Sequence, residues 1–245
     1  APMPTERVVI NERVCEGCGD CQTQSACLAL VPVPTEFGQK TRIDERACTI
    51  DRSCLQGDCP SFAIVPIRKG APAEREADES LPEPDRLPTS AAVRFAGIGG
   101  NGVVTIAHLL GTAALLDGLT VRGLDQTGLA QKGGGVVSDV IITAASEEAP
   151  GAAPAVGVDL LIAADPVGAQ TPGVLASLDP ERTVVIGSLE MALTGDMLLH
   201  PDQPRPTGSS LRDVLDSVTR ADANTWVDVA DVRARLDLSA ASANL

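Results

Sequence analysis

The sequence predicts an α/β chain in two parts, a small cysteine-bound domain followed by a layered α/β domain. Three observations predict it. All seven cysteines fall between Cys15 and Cys59 of a 245-residue chain. From Ala91 onward, short apolar runs that read as strands alternate with stretches of helical spacing. The chain holds three Phe, one Trp and no Tyr. Its core must therefore be built from Ala, Val, Leu and Ile, which suits a buried parallel sheet with helices packed on it.

Charge and hydropathy narrow the setting. A formal net charge of −14 argues against non-specific binding to nucleic acid or to an anionic membrane. The charge is uneven: residues 1–70 carry eight basic and nine acidic side chains, residues 91–245 nine and eighteen. No apolar run approaches the roughly 20 residues of a membrane span. The opening stretch "APMPTERVVI" has no apolar signal segment. A cytoplasmic, reducing location is expected, where disulfides are disfavoured.

Residues 1–70 form the first expected domain, and its cysteine spacing carries chemistry. Two-cluster bacterial ferredoxins use C-x2-C-x2-C-x3-C-P, with the fourth cysteine of each run serving the other cluster. Cys15, Cys18 and Cys21 match the first three positions, and Cys27 follows after five residues. The second run starts at Cys48 and reaches Cys54, with Asp51 in the middle position, then Cys59-Pro60. The crossed rule places Cys15, Cys18, Cys21 and Cys59 on one [4Fe–4S] cluster. It places Cys27, Cys48 and Cys54 on a second, with Asp51 completing it. A carboxylate oxygen is a harder ligand than a thiolate, so an Asp51 corner is expected to be the labile one. Alternatively, Cys27, Cys48 and Cys54 are structural, or hold a three-iron cluster beside a solvated Asp51. Zinc sites commonly use two C-x2-C pairs, a poor match here, and disulfides would leave one of seven cysteines unpaired. Between the runs, "VPVPTEFGQKTRIDE" reads as a hairpin turning at Gly38-Gln39. Lys40, Arg42, Arg46 and Arg52 near it are read as a solvated face rather than a device that offsets cluster charge.

Residues 71–90, "APAEREADESLPEPDRLPTS", are rich in proline and acid and read as a linker. Residues 91–245 form the second domain. Strands are expected at "AAVRFAG", "LTVRGLD", "GVVSDVIIT", "VDLLIAAD", "RTVVIGSL" and "NTWVDV". Helices are expected at "GVVTIAHLLGTAALLDG", closed by Gly118, and at "SLRDVLDSVTR". The final segment "ADVRARLDLSAASANL" is amphipathic and ends abruptly, as a helix cut at its C-terminus would.

Gly97, Gly99 and Gly102 fit G-x-G-x-x-G between a strand and a helix, the dinucleotide fingerprint. Asp125, ending the next strand, is the candidate ribose ligand. The competing reading is that these glycines permit a tight turn and close helix–sheet packing. A second glycine stretch holds Gln131, Lys132, Gly133 and Gly134, whose N–H groups suit an anion. Ser138 either donates a hydrogen bond or sits on a strand. His108, in the first helix, is expected to be packed or half-buried rather than a ligand. No Ser/His/Asp or Cys/His set for nucleophilic catalysis is evident.

Taken together, the cysteine segment from Cys15 to Cys59, "GIGGNGVVTIAHLLGTAALLDG" and "GLDQTGLAQKGGGVVSDV" resemble the C-terminal half of the fused indolepyruvate ferredoxin oxidoreductases. These are thiamine-diphosphate-dependent 2-oxoacid:acceptor oxidoreductases, and residues 91–245 resemble their γ domain. That domain is not an NAD domain, so the resemblance favours packing for Gly97 to Gly102. It implies a larger enzyme in which thiamine diphosphate with Mg activates an aryl pyruvate. Coenzyme A takes the acyl group, iron–sulfur clusters relay the electrons, and ferredoxin accepts them. It also implies thiamine-binding domains or subunits as partners, and a homo-oligomer of the whole enzyme. The chain shows no thiamine-binding G-D-G with a downstream Asn, which implies a fragment or a separate subunit. Two alternatives stand beside it: a ferredoxin joined to a module exchanging electrons with NAD(P)H, and a non-catalytic electron carrier.

Overall fold

The computed structural model describes residues 5–45, 47–67, 90–127, 134–145, 157–194, 196–197, 203–229 and 231–232. The chain divides into two compact units, Ala1–Pro88 and Thr89–Leu245.

In the first unit, β1 (Glu6–Ile10) pairs antiparallel with β4 (Phe62–Pro66), so the two ends of the cysteine segment lie side by side. Between them run α1 (Asp20–Ser25), β2 (Leu30–Thr35), β3 (Gly38–Ile43) and a 3-10 turn at Ser53–Gly57. The core is small. Cys21, Leu30 and Cys54 are buried, with Val8, Ile10, Cys27, Ile43, Leu55 and Phe62 packed around them. The expected hairpin exists, but it turns at Glu36-Phe37 with Thr35 opposite Gly38, not at Gly38-Gln39. Thr35 closes it: its hydroxyl donates to the Gly38 carbonyl and accepts from the Phe37 N–H.

The second unit carries a six-stranded sheet in the order β10-β9-β8-β5-β7-β6. Its strands are β5 (Ser90–Ile98), β6 (Thr120–Thr127), β7 (Gly135–Thr143), β8 (Leu160–Ala163), β9 (Val184–Ser188) and β10 (Thr225–Val227). All six expected strands are present. The sheet is mixed, however, and not parallel throughout. β5, β8, β9 and β10 run parallel, while β7 pairs antiparallel with both β5 and β6. Strand β7 reaches this place because it returns directly from β6, and a direct return can only be antiparallel.

Side chains alternate across β5. Val93 and Phe95 face α2 (Val103–Leu116) and pack with Val103, Ala107 and Val140. Ala96 faces the other side, with Leu161, Ala163, Val174, Val185 and Leu215. That side is covered by a 3-10 turn (Gly168–Gln170), α3 (Pro172–Leu175) and α4 (Gly208–Ser217). Helix α4 starts two residues before the expected stretch and is capped: the Thr207 hydroxyl accepts from the Ser210 N–H, and the Ser210 hydroxyl accepts from the Thr207 N–H. Among the described residues no helix is long and apolar enough to cross a membrane.

Candidate functional site

The cysteines occupy two loops and the short helical turns that follow: Cys21 lies in α1 and Cys54 in the 3-10 turn, Cys27 and Cys59 come just after them, and all seven are unbridged. The first loop leaves β1 at Asn11, whose carbonyl accepts from the N–H groups of Val14 and Cys15. Cys15 and Cys21 are buried, Cys18 is exposed, and Cys59 is half-buried just before β4. The Cys15 sulfur accepts from the N–H groups of Gly17 and Thr41, each at 3.4 Å. Lys40 Nζ donates to the Cys15 carbonyl at 2.6 Å. Strand β3 therefore forms a wall against this loop. A Cβ on Gly17 would meet the Gln39 carbonyl oxygen at 1.9 Å, and its φ of +71° favours glycine as well.

Electrostatics sort the cysteines into two sets. Burial pushes the Cys21 thiol above its ordinary value, and the neighbouring Cys59 and Cys15 push the same way. Burial likewise raises Cys54, assisted by Cys27, Cys48 and Asp51. Cys15, Cys21 and Cys59 thus share one neighbourhood, while Cys27, Cys48, Cys54 and Asp51 share another. The Asp51 carboxylate accepts from the Ser53 N–H at 2.9 Å, the Ser53 hydroxyl at 2.8 Å and the Thr49 hydroxyl at 2.8 Å. It braces the turn that carries Cys54. A carboxylate offers about four lone-pair sites, so this bracing is compatible with a metal bond. Among the described residues no three His, Cys, Asp or Glu side chains stand close enough to ligate one ion.

The backbone around these cysteines is unusual. All four non-glycine residues with positive φ in the described chain lie here: Ala26, Ile50, Arg52 and Asp58. Ile50, β-branched at φ +61°, is a clear departure from ordinary geometry. Gly17, Ala26 and Asp58 each immediately precede a cysteine, namely Cys18, Cys27 and Cys59. Ala26 and Asp58 also end the short helical turns. Left-handed residues between right-handed ones turn successive N–H groups into one concavity, the kind that receives anions and iron–sulfur clusters. Strain of this sort persists where function demands it. The donors gathered here are thiols, one carboxylate and, at Cys15, backbone N–H groups aimed at sulfur. Of the nearby cations, Arg42 pairs with Glu12 and Arg52 with Glu6, both partly exposed. Arg46 lies outside the described residues.

In the second unit the structure brings the two glycine stretches together. The Gly99 N–H donates to the Gly134 carbonyl at 2.8 Å. Gln131, Lys132 and Gly133 lie outside the described residues. Gly102, at φ +72°, precedes α2. A Cβ on Gly97 would lie 2.8 Å from Val103 Cγ2 and 3.4 Å from Ala164 Cβ. Helix and sheet meet at Gly97 with no room for a side chain.

Two expectations change. His108 is exposed, not packed, and its Nε2 stands 2.9 Å from Asp125 Oδ2. The reason is that Val103, Ala107, Gly111 and Ala114 form the buried stripe of α2, which His108 misses. Asp125 lies inside β6 rather than at its end, and β7 separates β6 from β5. The fingerprint's acidic residue sits on the strand beside the glycine loop; here it is one strand further away. Ser138 is buried and donates to Asp125.

Sequence reasoning missed three groups. Thr41 is buried and touches the first cysteine set. Arg94 and Asp139, opposite each other on β5 and β7, form a buried two-pronged pair at 2.6 and 3.0 Å. Asp165 is buried after β8 and accepts from the N–H groups of Val167, Gly168 and Ala192. Only Asp165 had a signal, an Asp-Pro pair after an apolar run.

The family described as pyruvate ferredoxin/flavodoxin oxidoreductase matches residues 92–235, more than half of the chain. No curated protein sequence matches. A pyruvate oxidoreductase subunit from Thermotoga maritima is similar at 15% identity and a TM-score of 0.39, over 60% of this chain and 67% of that one. A 2-oxoglutarate:ferredoxin oxidoreductase from Magnetococcus marinus, solved with 2-oxoglutarate, coenzyme A and succinyl-CoA, is similar at 14% identity and a TM-score of 0.45. That similarity covers 64% of this chain but only 23% of that one. The γ subunit of a keto/oxoacid ferredoxin oxidoreductase from Geobacter sulfurreducens is similar at 16% identity and a TM-score of 0.38, over 63% and 70% of the two chains.

Proposed function

This chain belongs to the pyruvate ferredoxin/flavodoxin oxidoreductase family, and from that premise we propose that it is the iron–sulfur and γ-domain portion of a 2-oxoacid:ferredoxin oxidoreductase. The observation that carries the iron–sulfur part is the left-handed backbone gathered at two electrostatically separate cysteine sets. Cys15, Cys18, Cys21 and Cys59 hold one [4Fe–4S] cluster. Cys27, Cys48, Cys54 and Asp51 hold the second. Bound there, the clusters supply one-electron storage at potentials set by hydrogen bonds, charge and burial.

The chain's own residues do the rest. The Gly17 and Thr41 N–H groups orient the Cys15 sulfur, and Lys40 fixes the Cys15 carbonyl. Burial of Cys15, Cys21 and Cys54 excludes water from the site. The exposed Cys18 marks the side from which an acceptor approaches most closely. In the whole enzyme an oxoacid loses CO2 and its acyl group passes to coenzyme A; clusters held by Cys15, Cys18, Cys21 and Cys59, and by Cys27, Cys48, Cys54 and Asp51, would supply the one-electron relay to ferredoxin. Thiamine diphosphate with Mg belongs to partner domains or subunits, which complete a homo-oligomeric enzyme. The quoted motifs favour indolepyruvate or another aryl pyruvate as the oxoacid. Gly97 serves helix–sheet packing. The segment from Gln131 to Gly135 helps shape the coenzyme A or substrate entrance.

Anaerobic purification followed by iron and acid-labile sulfide assay tests this. Two clusters give about eight irons per chain and one gives about four. Colourless protein without sulfide overturns the proposal.

A further inference from the structure

We infer that Ser61 is a positioning residue for the first cysteine set, and that its hydroxyl, bonded to the Cys59 sulfur, raises the reduction potential there. The inference rests on the iron–sulfur reading above. It begins with a turn. The Phe62 N–H donates to the Cys59 carbonyl at 3.2 Å, closing a turn with Pro60 in its second position. The proline ring holds φ at about −65°, the value that position favours. The Asn11 N–H donates to the Ser61 carbonyl at 2.8 Å. Asn11 also holds the Val14 and Cys15 N–H groups, so one residue ties Ser61 to the loop that carries Cys15.

Ser61 is only 2% exposed. Its hydroxyl oxygen stands 3.1 Å from the Cys59 sulfur. Between a hydroxyl and a free thiol either group can donate. A cysteine that ligates metal is a thiolate and has no proton to give. In that state only the Ser61 hydroxyl can donate, and the direction of the bond is fixed. The turn and the bond to Asn11 hold the hydroxyl in place before any electron arrives. The second set is built differently. There the hydroxyls of Thr49 and Ser53 donate to the Asp51 carboxylate instead.

Reduction adds one electron, and so one negative charge, to a cluster and its thiolates. No bond forms or breaks. A buried donor aimed at a thiolate stabilises the added charge and raises the potential. The Ser61 hydroxyl therefore favours the reduced state at the set that holds Cys59, and not at the set that holds Asp51.

The test is an EPR-monitored redox titration of the full chain, purified anaerobically, as wild type, Ser61→Ala and Ser61→Thr. Alanine removes the hydroxyl, adds no bulk and leaves both backbone bonds of the turn in place; threonine keeps the hydroxyl. The expected result for Ser61→Ala is wild-type iron content and a roughly three- to tenfold smaller reduction constant for one cluster, where tenfold is about 59 mV for a one-electron couple. The other cluster keeps its wild-type value, and Ser61→Thr keeps both. Iron-loaded Ser61→Ala with unmoved potentials overturns the inference and leaves the cluster reading standing. An equal shift of both clusters, or a shift in Ser61→Thr as large as that in Ser61→Ala, also overturns it, because the hydroxyl on Cys59 is then not the cause. Loss of iron from Ser61→Ala alone makes the residue structural and overturns it too. Wild-type chain without iron and sulfide removes the cluster reading and this inference with it.

Discussion

Gly168→Ala tests the close approach that the glycine loop serves. Gly168 is buried in the 3-10 turn after β8. A Cβ there would lie 2.3 Å from the Gly97 oxygen, 2.4 Å from its carbonyl carbon and 2.8 Å from its Cα. Ordinary contact begins near 3.4 Å. The turn or the end of β5 must therefore retreat by about 1 Å, and backbone cannot rotate aside as a side chain can. Retreat is resisted on both sides. The Asp165 carboxylate holds the Val167 and Gly168 N–H groups at 2.9 and 3.1 Å, and β5 is pinned between β7 and β8. Overpacking of this kind costs about 3 kcal/mol at the upper end of its usual range. In a domain of this size that lowers Tm by about 6–12 °C. The assay is thermal unfolding followed by far-UV circular dichroism. Gly173→Ala is the control: it lies on α3 with nothing within 4 Å of its would-be Cβ, and alanine in a helix gains about 0.5–1 kcal/mol. If Gly168→Ala melts within a degree of Gly173→Ala, the packing account of Gly97 and Gly168 is wrong.

Arg94→Met strands the Asp139 carboxylate, only 4% exposed, and is expected to cost about 3–5 kcal/mol; urea unfolding should show the Arg94→Met, Asp139→Leu double variant to be more stable than the single one. Burial acts to raise the Asp159 carboxyl, but hydrogen bonds from Arg182 and the Ala92 N–H, with the Arg182 charge, hold it below its ordinary 3.8. Its contribution is therefore present above pH 3.8 and lost as pH falls through the lower folded value. The Tm gap between wild type and Arg182→Met should shrink on acidification, and a gap constant from pH 7 to pH 2 would count against the pairing. Asp51→Asn keeps the acceptor that braces the Ser53 turn while removing the anionic oxygen. It is expected to lower iron from about eight to about seven per chain, and full iron with an unchanged spectrum would show that Asp51 does not bond iron.

Local periodicity and punctuation made the elements of this chain readable one by one. The six strands of the second unit, the Gly118 stop after α2 and the cysteine spacing are all local features, and short-range sterics and metal-ligand reach act over a few residues. Partner choice is different in kind. "GVVSDVIIT" has the same alternation whether it pairs parallel or antiparallel, so the insertion of β7 between β5 and β6 was not written in that stretch. Nor could Arg94 announce Asp139, 45 residues later, since each alone reads as a charge that should face water. The same holds at the cysteines. Sequence supplied the sulfurs and their order, whereas the fold supplied what surrounds them: the Thr41 N–H on Cys15, Gln39 against Gly17, and left-handed turns at Ala26 and Asp58. Those depend on two segments meeting in space, and only burial and hydrogen-bond geometry after folding decide which segments meet.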